Sequence, residues 1–398
     1  MGPTGRSPNK SWGYWLAVLA LLASPLSASG AGMAQTQFAM FYHPPTDGTP
    51  ITSLSTEAKA LIFTHGDEAY LNQMRAYGFN GPALEYFMAN EASGPANLEN
   101  ASSPCGPYLF YPNNLAGVAG DFCTALHPVE SNFLHNSAGR RLYSTQSWTD
   151  GAGPHTVYIY LMNPAAAGWQ AYVGLHLADL MARSPYTGVF LDNLDLAPTR
   201  GQQRETDSDG TIEEYSSGSA YEASIESYLT AIRLAIPQEL SLWANMTEGG
   251  NAVDAWDAYL PYLNGVMDEG FGTGWNRAND SDAWLAQVQR MERVLAEGKS
   301  FLGVGQGSQT DTQRQRFALA SYLLAANENA FFRYANDANY YDAWWYSNYA
   351  VNLGAPIGPS YQAGGGVWQR DFACGKVTVD PKAHVGTIDA NHSQPGCS

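Results

Sequence analysis

Two stretches of the chain read alike: Gly188-Val189-Phe190-Leu191-Asp192-Asn193 and Gly265-Val266-Met267-Asp268-Glu269-Gly270. Counted from each opening glycine, Asp192 and Glu269 fall at the same place. Side chains of a strand alternate between its faces, so Phe190 shares a face with Asp192, and Met267 with Glu269. Two carboxyls at matched strand ends can divide the work of breaking a glycosidic bond. One protonates the departing oxygen, while the other attacks the sugar carbon or activates the water that does. Glu269 is assigned the proton-donor role and Asp192 that of nucleophile or base.

Other polar residues recur at the same level. Gly81-Pro82-Ala83-Leu84-Glu85 repeats the count from its glycine, and another strand ends Leu242-Trp243-Ala244-Asn245. Tyr42 and Asn245 are expected to hold sugar hydroxyls, and the aromatic face of Trp243 to stack on a ring. His43 should face the same mouth. Asp195 and Asp268 are spare carboxylates that raise a neighbour's pKa through like charge or orient a hydroxyl. Arg333, in Phe331-Phe332-Arg333-Tyr334, pairs with a catalytic carboxylate or satisfies a buried acid. Five other histidines, His65, His127, His135, His155 and His176, are scattered and show no zinc-ligand spacing. No metal is expected among these site residues. Glu205–Glu213 resembles the first nine positions of a calcium loop, with Asp207 and Asp209 as weak ligand candidates. Ser216, however, stands where a bidentate acid is required, so a calcium site and an acidic loop over the mouth both stay open.

These residues need a scaffold that brings several strand ends together. Strands are expected at Phe38–Tyr42, Gly81–Phe87, Thr156–Leu161, Gly188–Asp192, Leu240–Asn245, Gly265–Glu269, Ser300–Gly305 and Ala330–Tyr334. Helical spacing marks Asp67–Tyr77, Trp169–Ala182, Tyr221–Ile236, Ala252–Tyr262, Ser281–Glu297 and Thr312–Ala326. The alternation runs without a linker, and no Gly-x-Gly-x-x-Gly opens the first helix. It therefore predicts an α/β fold, a closed (β/α)8 TIM barrel, in preference to an open doubly wound sheet. Residues 88–155 interrupt the rhythm as a long insertion in which a further strand is possible. Beyond the aromatic tract Tyr340–Tyr346, Gly366–Phe372 and Gly375–Val379 read as a hairpin on the barrel flank, giving one domain over residues 35–398.

Composition narrows the partners. The 398 residues carry 20 Lys+Arg against 37 Asp+Glu, a formal charge of −17, which excludes a nucleic-acid binder working through a basic face. With 45% hydrophobic residues, 11 Trp and 24 Tyr, the chain can build a large core. Residues 1–34 have the layout of a secretory signal: Arg6 and Lys10, the apolar run Trp15–Ala23, then small residues. That run is too short for a stable membrane span, and a secreted or periplasmic protein is expected. In an oxidising compartment, the economical choice among three pairings joins Cys105 to Cys123 and Cys374 to Cys397.

Thr187-Gly188-Val189-Phe190-Leu191-Asp192-Asn193-Leu194-Asp195, with Glu269, resembles barrel glycoside hydrolases related to glycoside hydrolase family 114, the endo-α-1,4-polygalactosaminidases. Arg370-Asp371-Phe372-Ala373-Cys374-Gly375-Lys376-Val377 is similar to the Arg-x-Phe-x-x-Gly-x-Val piece that closes members of a hypothetical glycosyl hydrolase group. The resemblance spans roughly residues 37–380. It implies a barrel glycoside hydrolase, with an aspartate ending the fourth strand working with a later strand-end glutamate, here Asp192 and Glu269; a poly- or oligosaccharide substrate and no cofactor are expected. The insertion and the terminal hairpin depart from the compact family pattern and leave the sugar open. Two other readings stand beside hydrolysis: a catalytically inactive carbohydrate-binding barrel or surface protein, and a metal-dependent polysaccharide deacetylase or other hydrolase.

Overall fold

The computed structural model describes residues 36–105, 122–150, 153–194, 212–246, 253–275, 279–336, 340–391, 393 and 397. In chain order its strands are β1 (Phe38–Phe41), β2 (Ala58–Phe63), β3 (Ala83–Met88), β4 (Glu91–Gly94), β5 (Tyr143–Asp150), β6 (Gly153–Leu161), β7 (Gly188–Asp192), β8 (Ser241–Asn245), β9 (Gly265–Glu269), β10 (Ser300–Gln306), β11 (Ala330–Ala335), β12 (Tyr361–Gln362), β13 (Trp368–Phe372), β14 (Gly375–Asp380) and β15 (Val385–Ala390). Eight of them close into a parallel barrel in the order β1-β11-β10-β9-β8-β7-β3-β2. Both faces of these strands are buried, which is why they read as apolar runs. One face fills the barrel with Ala39, Phe41, Ile62, Leu84, Phe190, Trp243, Met267, Leu302, Val304 and Phe331. The other packs on the surrounding helices through residues such as Val189, Leu191, Val266 and Phe332.

Helices occupy the six expected segments: α2 (Glu68–Ala76), α3 (Ala167–Arg183), α4 (Gly218–Ala235), α5 (Val253–Tyr259), α6 (Ser281–Ala296) and α7 (Thr312–Ala325), preceded by α1 (Ile51–Glu57). α4 starts earlier than its apolar pattern because Ser217 caps it, accepting from Ala220 N at 3.2 Å. α5 gives way to a 3-10 turn, Leu260–Tyr262, where Pro261 ends the α pattern.

The strand expectations need two corrections. Thr156–Leu161 is no barrel strand; as part of β6 it pairs antiparallel with β4 and β5, in a three-stranded sheet built by the insertion. Its place in the barrel is taken by β2, which follows α1 with no glycine or proline between them to mark a boundary.

The insertion carries its own polar anchor. Arg141, fully buried, donates from Nε and Nη2 to the two Glu130 carboxylate oxygens, each at 2.8 Å, and from Nη2 to the His127 carbonyl at 2.9 Å. Burial alone would raise the Glu130 pKa, but the bonds from Arg141 and His135 more than offset it and bring it down to about 2. The lowered value means that Glu130 adds stability above the ordinary carboxyl range, which is lost as the pH falls toward 2. Glu130→Ala strands a buried guanidinium and is expected to cost about 2–3 kcal/mol, at the low end for such a pair because Glu130 itself is partly solvated. Urea unfolding at pH 7 and pH 3 measures it, and the deficit should shrink at the lower pH.

The terminal hairpin is part of a four-stranded antiparallel sheet, β12-β13-β14-β15. It is pinned to the barrel's helical layer by Arg370, which donates to the carbonyls of Leu323 and Ala326 at 3.1 and 2.8 Å, and by Trp368 against Trp284. Both expected disulfides are formed, Cys105–Cys123 and Cys374–Cys397. Among the described residues no helix is long and apolar enough to cross a membrane. The signal-like segment 1–34, Asp195, and the calcium candidates Asp207 and Asp209 lie outside the described residues.

Candidate active site

Asp192 and Glu269 end β7 and β9, on either side of β8, which ends in Asn245. At their other ends, the glycines that open β7 and β9 let β8 pack closely between them. A Cβ on Gly188 would lie 2.1 Å from the Ser241 carbonyl oxygen, and one on Gly265 would lie 2.7 Å from the Trp243 ring. Trp243 is therefore buried in the barrel, beside Phe331 and beneath Asn245, and offers no free face to a sugar.

Asn245 joins the two acids. Its Nδ2 donates to Asp192 Oδ1 at 2.9 Å and to Glu269 Oε2 at 2.8 Å. Two such bonds to one nitrogen keep the facing oxygens no more than about 6 Å apart. Asp192 Oδ1 also accepts from Asn193 N at 2.9 Å. Asn193 turns the chain there at φ 55°, in the left-handed region that asparagine tolerates.

Each acid has a tyrosine on its other oxygen: Tyr86 donates to Asp192 Oδ2, and Tyr340 to Glu269 Oε1. Gln306 Nε2 donates in turn to the Tyr340 oxygen at 2.5 Å. Burial, reinforced by the adjacent carboxylates, pushes both phenols well above their ordinary value, so they remain protonated donors. Tyr42 completes the wall, edge-on to Tyr86 with ring centres 4.6 Å apart. His43, next to it, is tied down by Asp67 at 3.1 Å and Thr64 at 3.0 Å.

Two expected members of the site face outward, and a third, Arg333, lies on the inner face of β11 with Phe331 but is engaged by other groups. Glu85 pairs with Val189, whereas Leu84 pairs with Gly188 and Met88 with Asp192. Counting from Gly81 is thus out of register: Met88 lies level with Asp192, and Tyr86, level with Phe190, reaches Asp192 through its hydroxyl. Glu85 points outward beneath α2, where burial and then the Glu68 carboxylate push its pKa up to about 8. Asp268 also points outward, accepting from Gln287 Nε2 at 3.2 Å on α6; burial raises its pKa to about 6, with Arg290 and Gln287 pulling it back. Arg333 is buried, and among the described residues its guanidinium donates to the backbone carbonyls of Phe41 and Asp342, not to a carboxylate. Burial lowers its pKa to about 10.

Sequence reasoning missed Tyr86, Gln306 and Glu91, and gave Tyr340 no role. Glu91 is buried beside the mouth, where its Oε2 accepts from Asn193 Nδ2 at 3.4 Å. Strand alternation from Leu84 was the available signal for Tyr86.

The profile of hypothetical glycosyl hydrolase family 15 matches residues 118–376, well over half of the chain. The chain belongs to this family. The match takes in both matched strand ends, Asn245, and most of the Arg-x-Phe-x-x-Gly-x-Val piece. No curated protein matches the sequence. Among solved structures, this family 15 chain is similar to the glycoside hydrolase domain of PelA from Pseudomonas aeruginosa, with 16% identity over 76% of this chain and 95% of that one and a TM-score of 0.46. It is also similar to an α-amylase from Malbranchea cinnamomea, with 9% identity over 83% and 76% and a TM-score of 0.45.

Proposed function

We propose that the chain is an exported glycoside hydrolase in which Asp192 and Glu269 are the catalytic residues. The observation that carries this reading is the Asn245 amide donating to both carboxylates at once, across the mouth of a barrel whose family is named for sugar cleavage. The separation decides the course of the reaction. The bound of about 6 Å on the facing oxygens falls below the roughly 6.5–9.5 Å that inversion uses to fit a water between acid and sugar, and favours the retaining course of carboxyls about 5–5.5 Å apart. Asp192, accepting from Asn193, Asn245 and Tyr86, attacks the anomeric carbon while Glu269 protonates the leaving oxygen. Glu269 then takes a proton from the water that cleaves the glycosyl ester, which restores both acids. Trp275, exposed and lying over Gly270 just beyond Glu269, supplies an aromatic face for a sugar ring. The signal layout of residues 1–34 and the two disulfides support export.

A panel of poly- and oligosaccharides, including a galactosamine polymer as the family 114 resemblance suggests, tests the proposal by release of reducing ends. Proton NMR of the first-formed anomer should show retention; an inverted product would remove Asp192 from the nucleophile role. Tyr340 is a positioning residue for Glu269. Tyr340→Phe removes one hydrogen bond that holds the Glu269 carboxyl in place, worth about 1 kcal/mol, and should lower kcat/KM about fivefold with KM nearly unchanged.

A further inference from the structure

We propose that His65, Glu68 and Glu85 bind a divalent transition-metal cation, with Zn²⁺ the best match, on the outer side of the barrel and apart from the sugar mouth. The site is assembled by the β2–α2 connection over β3: His65 lies just beyond β2, Glu68 opens α2, and Glu85 sits opposite Phe63 in the β2–β3 ladder. His65 Nδ1 is 2.9 Å from Glu68 Oε1 and 3.6 Å from Glu85 Oε1. One ligand atom from each of the three lies within 4.8 Å of the other two. A tetrahedral ion about 2.1 Å from each ligand needs them roughly 3.4 Å apart, so small side-chain rotations close the set.

Glu85 itself points to a ligand. Its side chain is only 1% exposed, neither carboxylate oxygen makes a hydrogen bond of sound geometry, and the nearby Ser184 hydroxyl offsets only part of the burial. A buried carboxyl whose oxygens make no sound hydrogen bond is costly, and a cation held between Glu85, His65 and Glu68 would satisfy them. Here it points at an imidazole nitrogen with a second carboxylate beside it. One imidazole and two carboxylates suit zinc better than magnesium or calcium, which favour all-oxygen shells. The exposed edge of His65, 60% accessible, leaves room for water to complete the coordination. The ion would also fix the turn whose Asp67 holds His43 next to Tyr42. The site does not depend on the glycosidase reading.

The test is a Zn²⁺ titration of the tag-free full chain after chelator dialysis, followed by calorimetry. The wild type should take up one equivalent. Glu85→Gln and His65→Ala should each weaken binding at least tenfold, since even outer partners of a metal cost about 10–100-fold. Asp192→Asn should bind as the wild type does. No stoichiometric uptake by the wild type, or uptake that survives both Glu85→Gln and His65→Ala, overturns the site; so does uptake lost in Asp192→Asn alone. Should Glu85→Gln fail to fold, His65→Ala decides, because its side chain is mostly in solvent.

Discussion

Asp192→Asn is expected to lower kcat by at least about 10⁴-fold on whichever glycan the wild type cleaves, the scale of loss seen when a nucleophile is removed from a working unit. The amide keeps the shape of the carboxylate and can still accept from Asn193 N and Asn245 Nδ2, so the mouth should survive. It cannot form the glycosyl ester. Stability should change by no more than about 1 kcal/mol, the worth of one altered hydrogen bond, here to Tyr86. Steady-state kinetics alongside thermal unfolding separates the two effects. A folded variant with more than a hundredth of the wild-type rate would mean that Asp192 does not attack the sugar.

Glu269→Gln should cost about 10²–10⁴-fold, the range of general acid catalysis. The loss should depend on the leaving group, which distinguishes this residue from Asp192. A natural sugar alkoxide must be protonated as it departs, whereas an activated phenolate need not be. Aryl glycosides of the preferred sugar should therefore recover much of the first step in Glu269→Gln and little in Asp192→Asn. Equal losses on both kinds of substrate would leave Glu269 without a proton-donor role. The introduced amide would keep the bond from Asn245 through its one acceptor oxygen and turn its NH2 toward the Tyr340 hydroxyl oxygen, which can accept.

The parts of this site that were legible in the sequence are those governed by strand alternation alone. Phe190 and Met267 lie inside the barrel, so Asp192 and Glu269 two residues later reach the same mouth, and Asn245 follows Trp243 by the same rule. Where the reading failed, the missing quantity was register between strands. Gly81 opens its run like Gly188, yet it is Leu84 that pairs with Gly188, which turns Glu85 outward and brings Tyr86 to the mouth. Pairing partners are set by the whole closed ring, not by any one strand, and the same reason hid β2 and misplaced β6. Tyr340 was visible as an aromatic tract, but its reach to Glu269 depends on how a long segment after β11 folds back over the barrel. His65, Glu68 and Glu85, the proposed cation ligands, show no zinc spacing in sequence because a turn, a helix start and a separate strand supply one each.

The proposed hydrolysis needs two carboxylates that share one amide donor and one sugar. Its most direct test is reducing-end release from the glycan panel by folded wild type, by Asp192→Asn and by Glu269→Gln, measured under identical conditions. The wild type should release product from at least one glycan, with both variants reduced to the losses given above. Release by the two folded variants at the wild-type rate would contradict it.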